Sequence, residues 1–252
     1  MNKKRTKQGF MKSHQLIEGE PAYLIHQRPY SETSQIINLF SRHYGRVDVI
    51  AKGSKRPKSK FKSFLQPFSP ILVSWSGRSQ LKTLRSVDIS SSKQPNVSGK
   101  HLMSAFYLNE LILSFLTTAD PYPDLFDAYS LAIENLSSAD SSEIILREFE
   151  IELLTEIGYA INFRTEAMSS KKIEPNLLYR FVAGEGFVSS VTSSARDKLI
   201  KGSVIYAIDQ GDFADPQTLS IAKRIARESI KYHLSGKELN TKKVVKSLKK
   251  MI

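Results

Sequence analysis

The chain has 252 residues, 40% hydrophobic and 25% charged, with 37 Lys and Arg against 25 Asp and Glu and no cysteine. This is the composition of a globular protein that can bury a core. The missing thiols exclude disulfides, thiolate zinc sites and thiol catalysis, fitting a reducing cytoplasmic setting, and no apolar run approaches the roughly 18 residues of a membrane span.

The net charge of +12 is unevenly placed. Residues 1–100 hold 19 basic against 5 acidic side chains, whereas residues 101–170 hold only Arg147 and Arg164 against 12 acids. A basic N-terminal module joined to an acidic one implies two domains with different partners, the first of them a polyanion.

In chain order, residues 1–20 are polar and basic and read as a loose tail. From Ala22 the pattern is β. Strands are expected at Ala22–His26, Gln35–Phe40, Gly45–Ala51, Ser69–Trp75 and Leu81–Ile89, with turn residues between them. Five short strands over residues 21–90 suggest a small barrel of the oligonucleotide-binding (OB) type. Residues 91–100 read as a polar linker. Helical periodicity follows in three segments, over 101–117, from Leu125 to Leu136, and from Asp140 to Gly158, with Asp140 and Glu143 as a capping box for the third. A hairpin is expected near 179–188. Asp215-Pro216 should cap a helix with Lys223, Arg224 and Arg227 outward, and a basic amphipathic helix closes the chain from Thr241. The fold class is α+β: a five-stranded OB barrel, then a mainly helical domain over 101–252.

The sharpest signal lies between Arg42 and Lys62. Eight basic residues (Arg42, Arg46, Lys52, Lys55, Arg56, Lys58, Lys60, Lys62) accompany a single acid, Asp48. Gly53, Ser54, Pro57 and Ser59 forbid a long helix there, so the cations are expected on a flexible hairpin-like loop. Such a loop suits a sugar–phosphate backbone, with Tyr44, Phe61 and Phe64 as candidate stacking rings beside it. The bland alternative is a solvated charged face, with the barrel aromatics serving as core.

Nothing in the sequence reads as catalytic. The five histidines are far apart, with no HxH or HExxH spacing, so no metal or other cofactor is expected. The acids of the basic module (Glu18, Glu20, Glu32, Asp48, Asp88) are scattered over different elements, where metal-assisted phosphoryl chemistry needs several together. Gly53-Ser54-Lys55 is only a fragment of a phosphate loop. A metal-dependent nuclease and an RNA-binding adaptor with the same barrel remain the alternatives.

Several segments resemble a known family. Arg28-Pro29-Tyr30-Ser31-Glu32-Thr33-Ser34, Gly45-Arg46-Val47 with Ala51-Lys52-Gly53, Leu65-Gln66-Pro67-Phe68 and Lys82-Thr83-Leu84-Arg85 look like the N-terminal domain of the bacterial recombination mediator RecO. Tyr107-Leu108-Asn109-Glu110-Leu111, Leu146-Arg147-Glu148-Phe149-Glu150, Ile157-Gly158-Tyr159 and Asn162-Phe163 resemble its helical domain. The resemblance implies a non-enzymatic protein that binds single- and double-stranded DNA and anneals complementary strands. It implies contact with the acidic, Phe-ending tail of single-stranded-DNA-binding protein (SSB), and cooperation with RecR in loading RecA during gap repair. Many members carry a four-cysteine zinc site, which this cysteine-free chain cannot build and must replace by packing. Arg147 is carried over as the candidate contact for the SSB tail, with an intrahelical pair to Glu143 or Glu150 as the alternative. The candidate DNA-binding set is Arg28, Arg46, Lys52, Lys55, Arg56, Lys58, Lys60, Lys62, Lys82 and Arg85.

Overall fold

The computed structural model describes residues 16–90, 94–189, 199–241 and 243–244. Five strands, β1 (Leu16–Pro29), β2 (Gln35–Ser41), β3 (Gly45–Ala51), β4 (Pro70–Ser76) and β5 (Leu81–Ile89), close a barrel in the order β1-β2-β3-β5-β4. β1 is twice as long as β2 because it serves two neighbours, pairing with β4 through its first half and with β2 through its second. Register shifts between Ile17 and Glu20, and between Leu24 and His26, bend it around the barrel. Of the tail expected over 1–20, Leu16–Glu20 is already strand; residues 1–15 lie outside the described residues.

Alternation fills the barrel. Val47, Val49 and Ala51 of β3 point inward with Ile37, Leu39, Val73, Trp75 and Leu84. Phe61 and Leu65, from the connection between β3 and β4, join that core. The outer face of β1 and β2 is also apolar, because the helical domain packs on it. Tyr23, Ile25, Phe40 and Phe68 belong to one cluster with helices α1 (Leu102–Phe115), α2 (Pro123–Leu136) and α3 (Glu143–Glu156). The Tyr23 and Tyr129 rings meet edge-on at 5.0 Å. Buried Tyr129 donates to Asn109 Oδ1 at 2.6 Å, and Asn109 Nδ2 donates to the Ile25 carbonyl at 3.0 Å, tying both helices to β1. Gly45 (φ 61°) sits where a Cβ would collide with the Asp120 carbonyl, so glycine permits this close approach.

The N-cap of α3 is Ser142 and not the expected Asp140, and Ser142 makes no side-chain cap bond. The expected hairpin forms from β6 (Leu178–Val182) and β7 (Gly186–Ser189), extended by β8 (Ile200–Lys201). Helices α4 (Gly202–Asp209), which the sequence pattern did not reveal, and α5 (Pro216–His233) follow. Asp215 caps α5 as expected, accepting from Thr218 N at 2.8 Å. Phe163, Ile173, Tyr179, Phe187, Ile200 and Ile205 form a third core that holds the hairpin region without thiolates. The basic terminal helix lies largely outside the described residues, of which 240–241 and 243–244 are helical.

Candidate nucleic-acid interface and helical groove

The connection from Lys52 to Ser69 is not the flexible hairpin its composition suggests. It is wound into successive turns, with Arg56 N donating to Gly53 O at 3.2 Å, Ser59 N to Arg56 O at 3.0 Å and Leu65 N to Phe61 O at 3.1 Å. Phe61 and Leu65 pin it into the barrel. Its polar positions are thereby left outside: Lys52, Lys55, Arg56, Lys58, Lys60 and Lys62 are all exposed. Among the described residues none of the six is in an ion pair; Lys55 Nζ reaches the Ser31 carbonyl at 3.4 Å and Lys60 Nζ lies 5.3 Å from the Phe61 ring centre. Two of the barrel's five acids are engaged elsewhere. Asp48 accepts from Asn38 Nδ2 at 2.6 Å, and Glu20 accepts from the His43 backbone at 2.7 Å.

Register decides which candidates share this end of the barrel. Gln35 pairs with Ala51 at one end of the β2–β3 ladder and Ser41 with Gly45 at the other. The loop that begins at Lys52 therefore lies beside the β1–β2 turn, and Lys55 N donates to Thr33 O at 3.0 Å. Exposed Arg28, at the end of β1, belongs to this group.

The other candidates are placed differently. Arg46 is drawn into the domain contact: its Nη1 donates to the Leu113 carbonyl at 2.9 Å and it is half-buried, so it is a structural cation. Tyr44 sits on the β2–β3 turn, about 20 Å along the strands from the basic loop, and packs edge-on against Trp75 at 5.4 Å. Phe61 is core and Phe64 packs half-buried against it, so neither offers a free ring. Lys82 is half-buried at the register position of Val49. Arg85 is exposed and lies over β4, with Nε donating to Ser76 Oγ at 2.6 Å, beside Glu18 and Ser74.

The helical domain carries a second feature. A groove of about 760 Å³ runs between α1, α3, α5 and the segment after α5. Met103, Leu146, Leu219, Ile230 and Leu234 give it apolar walls; Arg147, Lys223, Arg227, Lys231 and Lys237 line it with cations, and Glu143, Glu150 and Glu238 with carboxyl groups. Positions 223, 227 and 231 recur every four residues and so stand on one face of α5. That spacing was legible in the sequence, where Lys223 and Arg227 read only as an outward surface.

Arg147 lies at the bottom of this groove, 3% exposed, with Nη2 2.6 Å from Oε1 of Glu150, which is fully buried. Tyr107 Oη donates to the same oxygen at 2.6 Å. Arg147 Nε and Nη1 and Glu150 Oε2 have no hydrogen-bond partner among the described residues. Burial holds the Glu150 carboxyl above its ordinary range against the pull of Arg147, and burial beside Glu150 pushes the Tyr107 phenol well up. At the rim Lys223 pairs with Glu143, and this hydrogen bond lowers the Glu143 carboxyl. Among the described residues no three His, Asp or Glu side chains converge as a metal site, and no helix is long and apolar enough to cross a membrane.

The fold thus defines a two-module protein, an OB barrel with one cationic end docked on a helical domain that carries a cation-lined groove. Residues 16–93 match the family model described as recombination protein O N terminal, and residues 98–243 match recombination protein O C terminal. The chain is 37% identical to the DNA repair protein RecO of Nitrosococcus oceani, over 92% of this chain and 94% of that protein. It is 39% identical to the DNA repair protein RecO of Polynucleobacter asymbioticus, over 93% and 98%, and 37% identical to that of Aliivibrio salmonicida, over 88% and 92%. The chain belongs to the recombination protein O family of DNA repair proteins.

Proposed function

We propose that this protein is a non-catalytic recombination mediator whose barrel loop holds DNA and whose helical groove receives the tail of SSB. The observation that carries the reading is the set of exposed loop cations, free of ion pairs among the described residues and held at one end of the barrel with Arg28. Annealing requires two polyanions to approach. Lys and Arg that neutralise phosphates lower their repulsion and contribute affinity without reading sequence. Register is then left to Watson–Crick pairing, so both single and double strands can be held in turn, and no covalent step is needed.

The groove offers what an acidic peptide with an apolar end would need: unpaired nitrogens of a buried guanidinium at its base, further cations on α5 and an apolar lining. Its volume falls within the roughly 300–1,000 Å³ of small-ligand pockets. Tail binding would bring the barrel to SSB-coated gaps, where with RecR the protein would promote RecA loading in the cytoplasm, at the nucleoid. The test is the rate at which the pure protein anneals complementary strands coated with SSB. Acceleration is expected with intact SSB and should be lost when SSB lacks its acidic tail. Equal rates with and without the protein would overturn the proposal.

A further inference from the structure

Resting on the DNA-binding reading, we infer that Tyr30 is the ring on which this protein stacks unpaired bases, so that the barrel holds a single strand more tightly than a duplex of equal length. Five aromatic side chains are exposed among the described residues: Tyr30, Tyr44, Phe106, Tyr159 and Tyr232. Four rest on another ring. Tyr44 meets Trp75, Phe106 meets Phe68, Tyr159 stacks on His233 at 3.8 Å, and Tyr232 meets His233 edge-on. Tyr30 alone has neither a ring neighbour nor a hydroxyl partner among the described residues, and it is 58% exposed.

Its position matches this free face. Tyr30 stands on the β1–β2 turn, two residues after Arg28 and directly after Pro29, whose ring fixes the approach of the chain. Tyr30 N donates to Ser34 O at 3.0 Å and Ser34 N to Ser31 Oγ at 3.3 Å, so the turn is closed on itself. Lys55 clamps it to the basic loop, through N to Thr33 O at 3.0 Å and Nζ to Ser31 O at 3.4 Å. The turn that carries the ring is therefore held against the loop whose cations would follow a sugar–phosphate backbone. A base in a single strand can leave its neighbours and lie on a phenol face. A base in a duplex is already stacked and paired, so the same ring gains little there.

The test compares Tyr30→Leu and Tyr30→Trp with the unmodified protein on an oligo-dT strand and on a duplex of equal length. Tyr30→Leu should weaken single-strand binding roughly 5- to 100-fold, the loss of one base–aromatic stack, and shift duplex affinity less than about twofold while leaving the salt slopes unchanged. Tyr30→Trp should keep single-strand affinity, and its emission should be quenched by the oligonucleotide. The natural Trp75 is core and only 3% exposed, so the unmodified protein should show little quenching. Single-strand affinity unchanged in Tyr30→Leu, or an equal loss on both substrates, overturns the inference while the cationic loop stands. An unmodified protein that binds neither substrate overturns both.

Discussion

Replacing Arg147 with methionine separates the structural from the binding role of the buried pair. Arg147 and Glu150 are 3% and 0% exposed and lie 2.6 Å apart. Removing one partner of a buried pair leaves an uncompensated charge and costs about 3–5 kcal/mol. The loss here should fall near the lower figure, because Tyr107 still donates to Glu150 and because burial already disposes that carboxyl to take up a proton. The pH dependence follows from the same group. Its folded pKa is raised above the ordinary 4.5, so on raising the pH the unfolded chain ionises first and stability is lost up to the folded value. Methionine at 147 widens that window, so the deficit should shrink as the pH is lowered from 7 toward the ordinary carboxylate range. In Arg147→Met with Glu150→Gln no charge remains to be stranded, and stability at pH 7 should return to within about 1 kcal/mol of the unmodified protein. Both variants should still bind an SSB-tail peptide at least roughly tenfold more weakly, having lost a charge-assisted hydrogen bond worth about 1.5–3 kcal/mol. Urea unfolding followed by circular dichroism, with peptide titration by fluorescence anisotropy, measures both quantities. A single variant as stable as the parent at pH 7, or a double variant as unstable as the single one, would refute the reasoning about the pair. Unchanged peptide affinity in the double variant would refute the role of the groove.

If about six loop phosphate contacts form, log K for single strands should fall against log salt with a slope near −4; neutralising Lys55, Arg56, Lys58 and Lys60 to glutamine should leave a slope shallower than about −2, by filter binding across salt. Asp127 is held below its ordinary 3.8 by the hydrogen bond from Arg42, which joins the barrel to α2. Its contribution is present above the ordinary value and lost as pH falls through the folded one, so Asp127→Asn should cost at most about 1 kcal/mol at pH 7, since both side chains are substantially exposed. The difference from the parent should vanish on acidification, by urea unfolding at successive pH values. Tyr129→Phe leaves buried Asn109 Oδ1 without its donor and should cost about 1–3 kcal/mol, read as a lower urea midpoint with unchanged slope.

The barrel was legible because strands alternate with period two and the turns between them carry their own residue types. Val47 and Val49 alternating with Arg46, Asp48 and Ile50 mark the two faces of β3 in the sequence itself. The basic loop was legible for the same local reason, its charge being contiguous in the chain. What local pattern could not supply was which outer faces meet another domain. Arg46 and Tyr44 read as surface residues next to a cationic run, yet Arg46 is tied to α1 and Tyr44 stands at the far end of the ladder. Phe61 and Phe64 interleave with lysines in sequence, yet the turn periodicity of the connection sends the rings inward and the ammonium groups outward. The early start of β1 was hidden because Glu18, Gly19 and Glu20 look like a tail. They occur where the strand bulges, and Glu20 is buried by its bond to the His43 backbone. The groove is distributed over α1, α3 and α5, so only its α5 face, Lys223, Arg227 and Lys231, left a periodic trace.

The most direct measurement sets two variants against two ligands. Lys55, Arg56, Lys58 and Lys60 are reversed to glutamate in one variant, Arg147→Met with Glu150→Gln is made in the other, and each is titrated with an oligonucleotide and with an SSB-tail peptide. The expected result is that the first loses the oligonucleotide and keeps the peptide, while the second does the reverse. Loss of both ligands in either folded variant would contradict the assignment of DNA to the barrel loop and the SSB tail to the helical groove.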